Sequence, residues 1–255
     1  MGRRDRTFIG GANESFRSTQ WADIVRAREG DPAARQKAVA RILGQYWKPV
    51  YCYLRRKGYG NEKAKDLTQG FFCDIVLGRG LIERADPGKG KFRAFLLKAL
   101  TNYAVSVARA EQAGKRMPRE GLVTLDDDDR SVPEPRHGAS PEEAFHCAWA
   151  ASLIEGVLAD VERACRADGL QKHWRVFHAM VVAPILHGEA PPPAAELCTT
   201  LGIASPAKAY NMNVTVKRRF QAGLCDRVCQ YVTSEAEVAD EIREIMAALS
   251  RRAGR

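Results

Sequence analysis

The chain has 255 residues, 45% hydrophobic and 28% charged, which suffices for one large core or two smaller ones and argues against a wholly disordered chain. Forty lysines and arginines against 31 acidic residues give a formal net charge of +9, which favours an anionic partner, nucleic acid being the commonest soluble one. No run approaches the ~20 apolar residues of a membrane span, and the opening MGRRDRTFIGG lacks an apolar signal-peptide centre, so the expected compartment is the cytoplasm and no membrane partner is expected.

Asp31-Pro32 reads as a helix start, because Asp accepts from free amides and Pro at the first helical position gives up no bond. From there Val39, Ile42, Leu43, Tyr46, Val50 and Leu54 recur at helical spacing as far as Gly58, with Pro49 predicting a kink near Tyr46. A second helix starts at Asn61 and places Ala64, Leu67, Phe71 and Ile75 on one face, ending near Gly78. The segment RADPGKG is a turn. A third helical stretch runs from about Lys91 to Gln112, carrying Phe92, Leu96, Ala99, Tyr103 and Val107. Between about Pro118 and Pro141 a four-Asp run and three prolines replace the periodicity, which is linker composition. Helical patterning resumes at Pro141, breaks at EAPPP, and ends in a tail from about Ser234 with Val238, Ile242, Ile245, Met246 and Leu249 on one side. No period-2 alternation is long enough for a strand, so the expected fold is all-α: two helical domains joined by a flexible linker, the second containing a helix-turn-helix.

Cys52, Cys73, Cys147, Cys165, Cys198, Cys225 and Cys229 are odd in number and scattered through apolar surroundings, which reads as reduced, mostly buried thiols. Neither Cys225 with Cys229 nor His146 with Cys147 completes a four-ligand zinc pattern, so no metal or other cofactor is expected.

After EAPPP come two helices. Ala195, Leu197, Cys198 and Leu201 form the inner face of the first, Gly202 ends it, and Ser205-Pro206 caps the second. The second sets an apolar stripe of Ala209, Met212, Val216 and Phe220 against a polar stripe of Lys208, Asn211, Thr215 and Arg218, beside the basic run Lys217-Arg218-Arg219. Such groups meet base edges and phosphates in a major groove. A solvated amphipathic helix is the bland alternative.

From Lys89 to Arg119 lie eight basic residues against only Glu111, interleaved with Phe92, Phe95 and Tyr103. Cations hold phosphates, and exposed aromatics stack unpaired bases; the helical spacing of these aromatics equally fits core packing.

The segments FRSTQWADIVRAREGDP, YWKPVYCYLRRKGY, AKDLTQGFF and KFRAFLLKALTNYAVSVARAEQAGKR, followed by a linker and a helix-turn-helix, occur in an order that resembles a bacterial RNA polymerase sigma factor of the sigma-70 family, extracytoplasmic-function type. The resemblance covers about Phe16 to Leu249. It implies a non-enzymatic protein that binds core RNA polymerase and directs promoter-specific transcription initiation. It also implies an N-terminal segment (1–30), a polymerase-docking and −10-reading domain (31–117), an acidic linker (118–140), a −35-reading domain (141–233) and a C-terminal helical extension (234–255).

Carried over by position, Lys65, Asp66 and Gln69 would dock on the polymerase, with Leu67 and Phe71 in the core; Gly70 stands where the family usually has Glu. Arg93, Lys98, Thr101, Asn102, Tyr103, Arg109, Lys115 and Arg116 would serve the melted −10 element, Thr101 to Tyr103 holding a flipped base and the cations holding phosphates. Ser205, Lys208, Asn211, Thr215, Lys217 and Arg218 would read the −35 duplex, and Asp126 to Asp129 would lie near the polymerase cleft. An anti-sigma factor is a further partner that the resemblance admits. Two alternatives remain: a sigma-like DNA-binding regulator without polymerase docking, and a nucleic-acid-processing enzyme, for which Asp66 and Asp74 lie more than two helical turns apart with no converging ligand.

Overall fold

The computed structural model describes residues 19–78, 80–114, 140–187, 190–229 and 237–253. Among these residues every regular element is a helix, so the fold is all-α. Helix α1 (Thr19–Glu29) buries Trp21, Ile24 and Ala27 against the next helix. It lies in the segment expected only as an N-terminal stretch. Helix α2 (Pro32–Arg56) starts where the sequence predicts: the Asp31 carboxylate accepts from the Ala34 amide at 2.9 Å, and Pro32 occupies the first turn. It runs through Pro49 without interruption.

Helix α3 (Asn61–Gly70) continues directly into a π-helical turn, Phe71–Leu77, and α4 spans Phe92–Gly114. Helix α5 (Pro141–Ala167) opens with a reciprocal cap: the Glu143 amide donates to Ser140 Oγ at 3.1 Å, and the Ser140 amide donates to the Glu143 carboxylate at 2.8 Å. Two orphan amides of the first turn are thereby satisfied. Helix α6 (Gln171–Phe177) passes through a π-helical turn, His178–Val182, into α7 (Ala183–His187). The chain then forms α8 (Ala194–Leu201), α9 (Pro206–Cys229) and α10 (Val238–Ala253).

One contiguous cluster of buried residues runs from Trp21 in α1 to Ala248 in α10. Its centre is aromatic. Phe92 sets its ring edge-on to Trp21 and to Tyr46, with centroids 6.1 and 5.7 Å apart, and Tyr46 stacks on Phe145 at 6.3 Å with planes 17° apart. Tyr46 belongs to α2 and Phe145 to α5, so the core passes between the two blocks that the sequence divides. The separation into two domains at 118–140 is therefore not a break in the packing, although residues 118–139 themselves lie outside the described residues. Lys48 on α2 and Glu155 on α5 form an ion pair at 3.3 Å beside this contact.

Helix α5 is long and apolar enough to cross a membrane by length and composition, although polar residues interrupt it often enough that no continuous apolar run marks it in the sequence. Here its Phe145, Trp149, Leu153, Val157 and Val161 are buried within the bundle. A second, smaller cluster joins Val176 to Leu197, Cys198, Leu201, Ile203, Ala209 and Met212 and fixes α8 and α9 on α6.

The cysteines are less uniformly buried than their surroundings suggest. Cys52, Cys165 and Cys198 are buried, Cys147 and Cys229 are half-buried, and Cys73 and Cys225 are exposed; none is in a disulfide. Burial pushes the Cys165 thiol up, against the opposing charge and hydrogen bond of Arg219.

Candidate nucleic-acid and partner interfaces

Three exposed helical faces hold most of the residues singled out by sequence. The first is the outer side of α3. Leu67 and Thr68 turn inward, the Thr68 hydroxyl donating to the Ala64 carbonyl at 2.7 Å, and Phe71 is fully buried. This leaves Asp66 and Gln69 exposed, one turn apart, with Glu62 and Cys73 continuing the stripe. Lys65 is half-buried and pairs with Glu62 at 3.0 Å.

Gly70, the next position, has ordinary helical angles, φ −58° and ψ −43°. Its glycine answers to space rather than to backbone conformation: a Cβ there would lie 2.8 Å from the Tyr103 hydroxyl. Tyr103 packs its ring on Phe71 with centroids 5.5 Å apart, so the phenol lies across the end of α3. Burial raises the Tyr103 hydroxyl above the usual phenol range, with Asp74 and Tyr59 adding to the shift.

The second face belongs to α4. Lys98, Asn102, Val105 and Arg109, spaced four, three and four residues apart, share one exposed side. Val105 is an apolar member that a reading of cations and aromatics alone overlooks; its spacing from Lys98 and Arg109 is the signal that finds it. Three expected members do not belong to this face. Thr101 donates its hydroxyl to the Leu97 carbonyl at 2.9 Å and accepts from the Tyr53 hydroxyl at 3.1 Å, so its polar group is committed inside the bundle. Tyr103 is half-buried, its ring turned to Phe71 and its hydroxyl to Gly70.

Arg93 also lies away from this face. It is buried, stacks over Trp149 with its guanidinium carbon 4.4 Å from the ring centroid, and forms ion pairs with Glu241 and Glu244 of α10. The sequence shows it only as one cation in a basic run, because its partner lies 148 residues away. Lys115 and Arg116 lie outside the described residues, as do Asp126 to Asp129.

The third face is the outer side of α9. Helix α8 ends at Gly202, whose φ of 61° and ψ of 49° are left-handed angles that cost glycine little. Two backbone bonds close the turn there, from the Gly202 amide to Thr199 and from the Ile203 amide to Cys198. Ser205 Oγ then accepts from the Lys208 amide at 3.3 Å and caps α9. Ala209, Met212 and Val216 are buried, whereas Lys208, Asn211, Thr215 and Arg218 are all exposed. Lys217 is also exposed but lies on the other edge of the open side, seven residues from Tyr210, which is 62% exposed. Tyr210 belongs to neither the apolar nor the polar stripe, so periodicity alone does not single it out; an aromatic set among cations is the signal that does.

Within the basic run, Arg219 is drawn off to Asp168 at 2.6 Å, and Arg227, further along α9, pairs with Asp160 at 2.5 Å. These two pairs fix α9 to α5 and its end. Among the described residues, Lys208, Lys217 and Arg218 form no ion pair, so their charge is available to an external anion. Comparison with known proteins adds no relative: no family model, no curated protein and no solved structure matches the chain.

Proposed function

We propose that this chain is a sigma factor of the extracytoplasmic-function type, acting in the cytoplasm, which binds core RNA polymerase and directs transcription initiation at promoters. The observation that carries the reading is the α8, Gly202, α9 unit. It has the form of a helix-turn-helix whose second helix is capped by Ser205, anchored by Ala209, Met212 and Val216, and open along Lys208, Asn211, Thr215 and Arg218. That arrangement suits direct reading of a duplex in the major groove, here the −35 element. Exposed Asp66 and Gln69 on α3 supply a polar docking edge for polymerase. Lys98, Asn102 and Arg109 on α4 supply contacts for the −10 strand.

In this reading the blocks 31–117 and 141–233 act as separate modules joined by residues 118–140, and the protein works by binding alone, without a metal, cofactor or catalytic group. An opened strand presents extruded bases, and binding only that form shifts the equilibrium towards it. The two promoter elements lie about 25 base pairs apart, or ~85 Å along a duplex at ~3.4 Å per pair. A compact body of this chain length has a radius of gyration of only ~18 Å. The packed arrangement, in which α5 lies on α2, thus belongs to the free protein, and the modules part when both elements are bound.

The test is to combine purified protein with core polymerase and promoter DNA. Formation of a complex and promoter-directed initiation are expected; absence of either defeats the reading. A second reading, a DNA-binding regulator with sigma architecture but no polymerase docking, is favoured by one observation. Gly70 with Tyr103 laid over it leaves no acidic side chain where docking segments of the family usually carry Glu. Binding of promoter DNA without any complex with polymerase would select it.

A further inference from the structure

The packing of α10 carries an inference beyond promoter recognition. Helix α10 lies against α5 and α9, both in the second block, yet its charged residues reach into the first. Glu241 is fully buried. It pairs with Lys91 at 2.5 Å and with Arg93, while Glu244 takes Lys91 at 2.9 Å and Arg93 at 2.5 Å. Lys91 and Arg93 flank the first residue of α4, where the helix dipole already favours an anion. Two cations at a helix N-terminus form an anion-binding site, and α10 fills it with two carboxylates.

We infer that α10 is an intramolecular competitor of nucleic acid: Glu241 and Glu244 occupy a cation pair, Lys91 and Arg93, that takes backbone phosphates once α10 is displaced. The inference rests on the proposed function for the identity of the competing anion.

The composition of the contact suits a releasable strap. Among the residues of α10 whose burial is described, Ile245 and Ala248 are the buried apolar ones, Val238, Ile242 and Leu249 are half-buried, and Met246 is half-exposed. Beside this apolar packing the attachment is ionic, through Glu241 and Glu244. A buried ion pair gives up hydration when it forms and recovers it when it opens to water, so displacement of the whole helix costs much less than leaving one charge buried without its partner. Phosphate oxygens then restore to the two cations what the carboxylates supplied. The ionised Glu244 fits this role. Burial acts to raise its pKa, but its hydrogen bond to Lys91 and the charges of Lys91, Arg93 and His146 outweigh burial and hold it below the usual carboxylate value.

The experiment uses the full chain with Glu241→Gln and Glu244→Gln together, and Glu244→Gln alone. Hydrogen exchange over α10 and the start of α4 is measured alongside the salt dependence of binding to a fluorescent single-stranded oligonucleotide of arbitrary sequence. The expected result is faster exchange confined to those segments and several-fold tighter binding. The slope of log affinity against log salt should steepen by up to about 1.4, since each newly available cation contributes about 0.7 on a single strand. Unchanged exchange in α10 overturns the inference, and so does faster exchange with unchanged affinity and slope, because α10 would then be only structural. If the double variant loses its helical circular dichroism, Glu244→Gln alone decides: Glu244 is half-exposed and leaves the Arg93 to Glu241 pair in place. Neither readout contains polymerase. Failure of the sigma reading, seen as no complex with core polymerase for wild type or variant, is therefore distinct from failure of the strap.

Discussion

Gly70→Ala is a sharp test of how α3 and α4 fit together. The backbone at Gly70 is helical and the chain remains helical through the following π turn, so alanine enters without strain. By propensity alone it should gain roughly 1 kcal/mol over glycine in a helix interior. The new methyl group would, however, lie 2.8 Å from the Tyr103 hydroxyl and 4.0 Å from the ring carbon that bears it. The phenol must swing aside, and it is held by a tilted contact with the buried ring of Phe71. Forcing a side chain off its rotamer costs about 0.5–1.5 kcal/mol, which cancels the gain. In a Tyr103→Phe background the hydroxyl is gone and the remaining approach is an ordinary contact, so there the same alanine should stabilise by about 1 kcal/mol.

Urea denaturation of the four proteins closes a double-mutant cycle. The expected coupling is about 1 kcal/mol, with Gly70→Ala near neutral in one background and stabilising in the other. An equal gain of about 1 kcal/mol in both backgrounds would show that Tyr103 does not select glycine and would refute the reasoning. The same geometry governs the docking question. Gly70→Glu in the native background displaces Tyr103 as well as adding a charge, so the effect of the charge on polymerase affinity is measured cleanly only with Tyr103→Phe beside it.

Three further outcomes are expected. Lys208→Ala and Arg218→Ala should weaken binding of −35 duplex while leaving polymerase binding intact, and each substitution that removes a cation from a phosphate should flatten the salt slope by about 0.9; equal loss of both activities would contradict the assignment of α9. Ser140→Ala removes the oxygen that accepts from the Glu143 amide and should cost about 1 kcal/mol in a thermal or urea melt, and no change would show that Glu143 alone holds the start of α5. Because the Glu244 carboxyl is depressed in the folded chain, its contribution to stability is present above its unfolded pKa and is lost as pH falls through the folded value. Exchange in α10 should therefore quicken below the ordinary carboxylate range, and this pH response should weaken in Glu244→Gln.

The helix starts and stops are legible in the sequence because their causes are local. Asp31 with Pro32, Pro141, Gly202, and Ser205 with Pro206 act within four residues of themselves, and the structure uses each one. Helix α1 is not legible in the same way, since Trp21, Ile24 and Ala27 span barely two turns and offer too short a period. The candidate site is legible where it depends on one helix face, as for Asp66 with Gln69 or Lys208 with Arg218. It is illegible where distant residues decide exposure: Arg93 reaches Glu241 across 148 residues and Thr101 reaches Tyr53 across 48. Periodicity places Tyr103 near the core but says nothing of its hydroxyl lying over Gly70.

The contact between the blocks has two chemically different parts, and they open under different conditions. At the α10 strap, carboxylates give way to phosphates, one anion for another, so nucleic acid can replace the ionic part of that contact, against the smaller apolar hold of Ile245 and Ala248. At the α2 to α5 contact, Tyr46 and Phe145 stack and are fully buried. Exposing two such rings costs about 3–6 kcal/mol of burial free energy, and their stacking adds about 0.5–1.5 kcal/mol. A polyanion supplies nothing to replace that apolar contact, and a ligand shifts an equilibrium only by its differential affinity for the two states. Separation of the blocks thus requires a partner that offers apolar surface as well as charge, which in the proposed function is the polymerase. An oligonucleotide should accordingly loosen α10 while leaving exchange at Tyr46 and Phe145 slow, and rapid exchange there with oligonucleotide alone would mean that the aromatic contact does not hold the closed form.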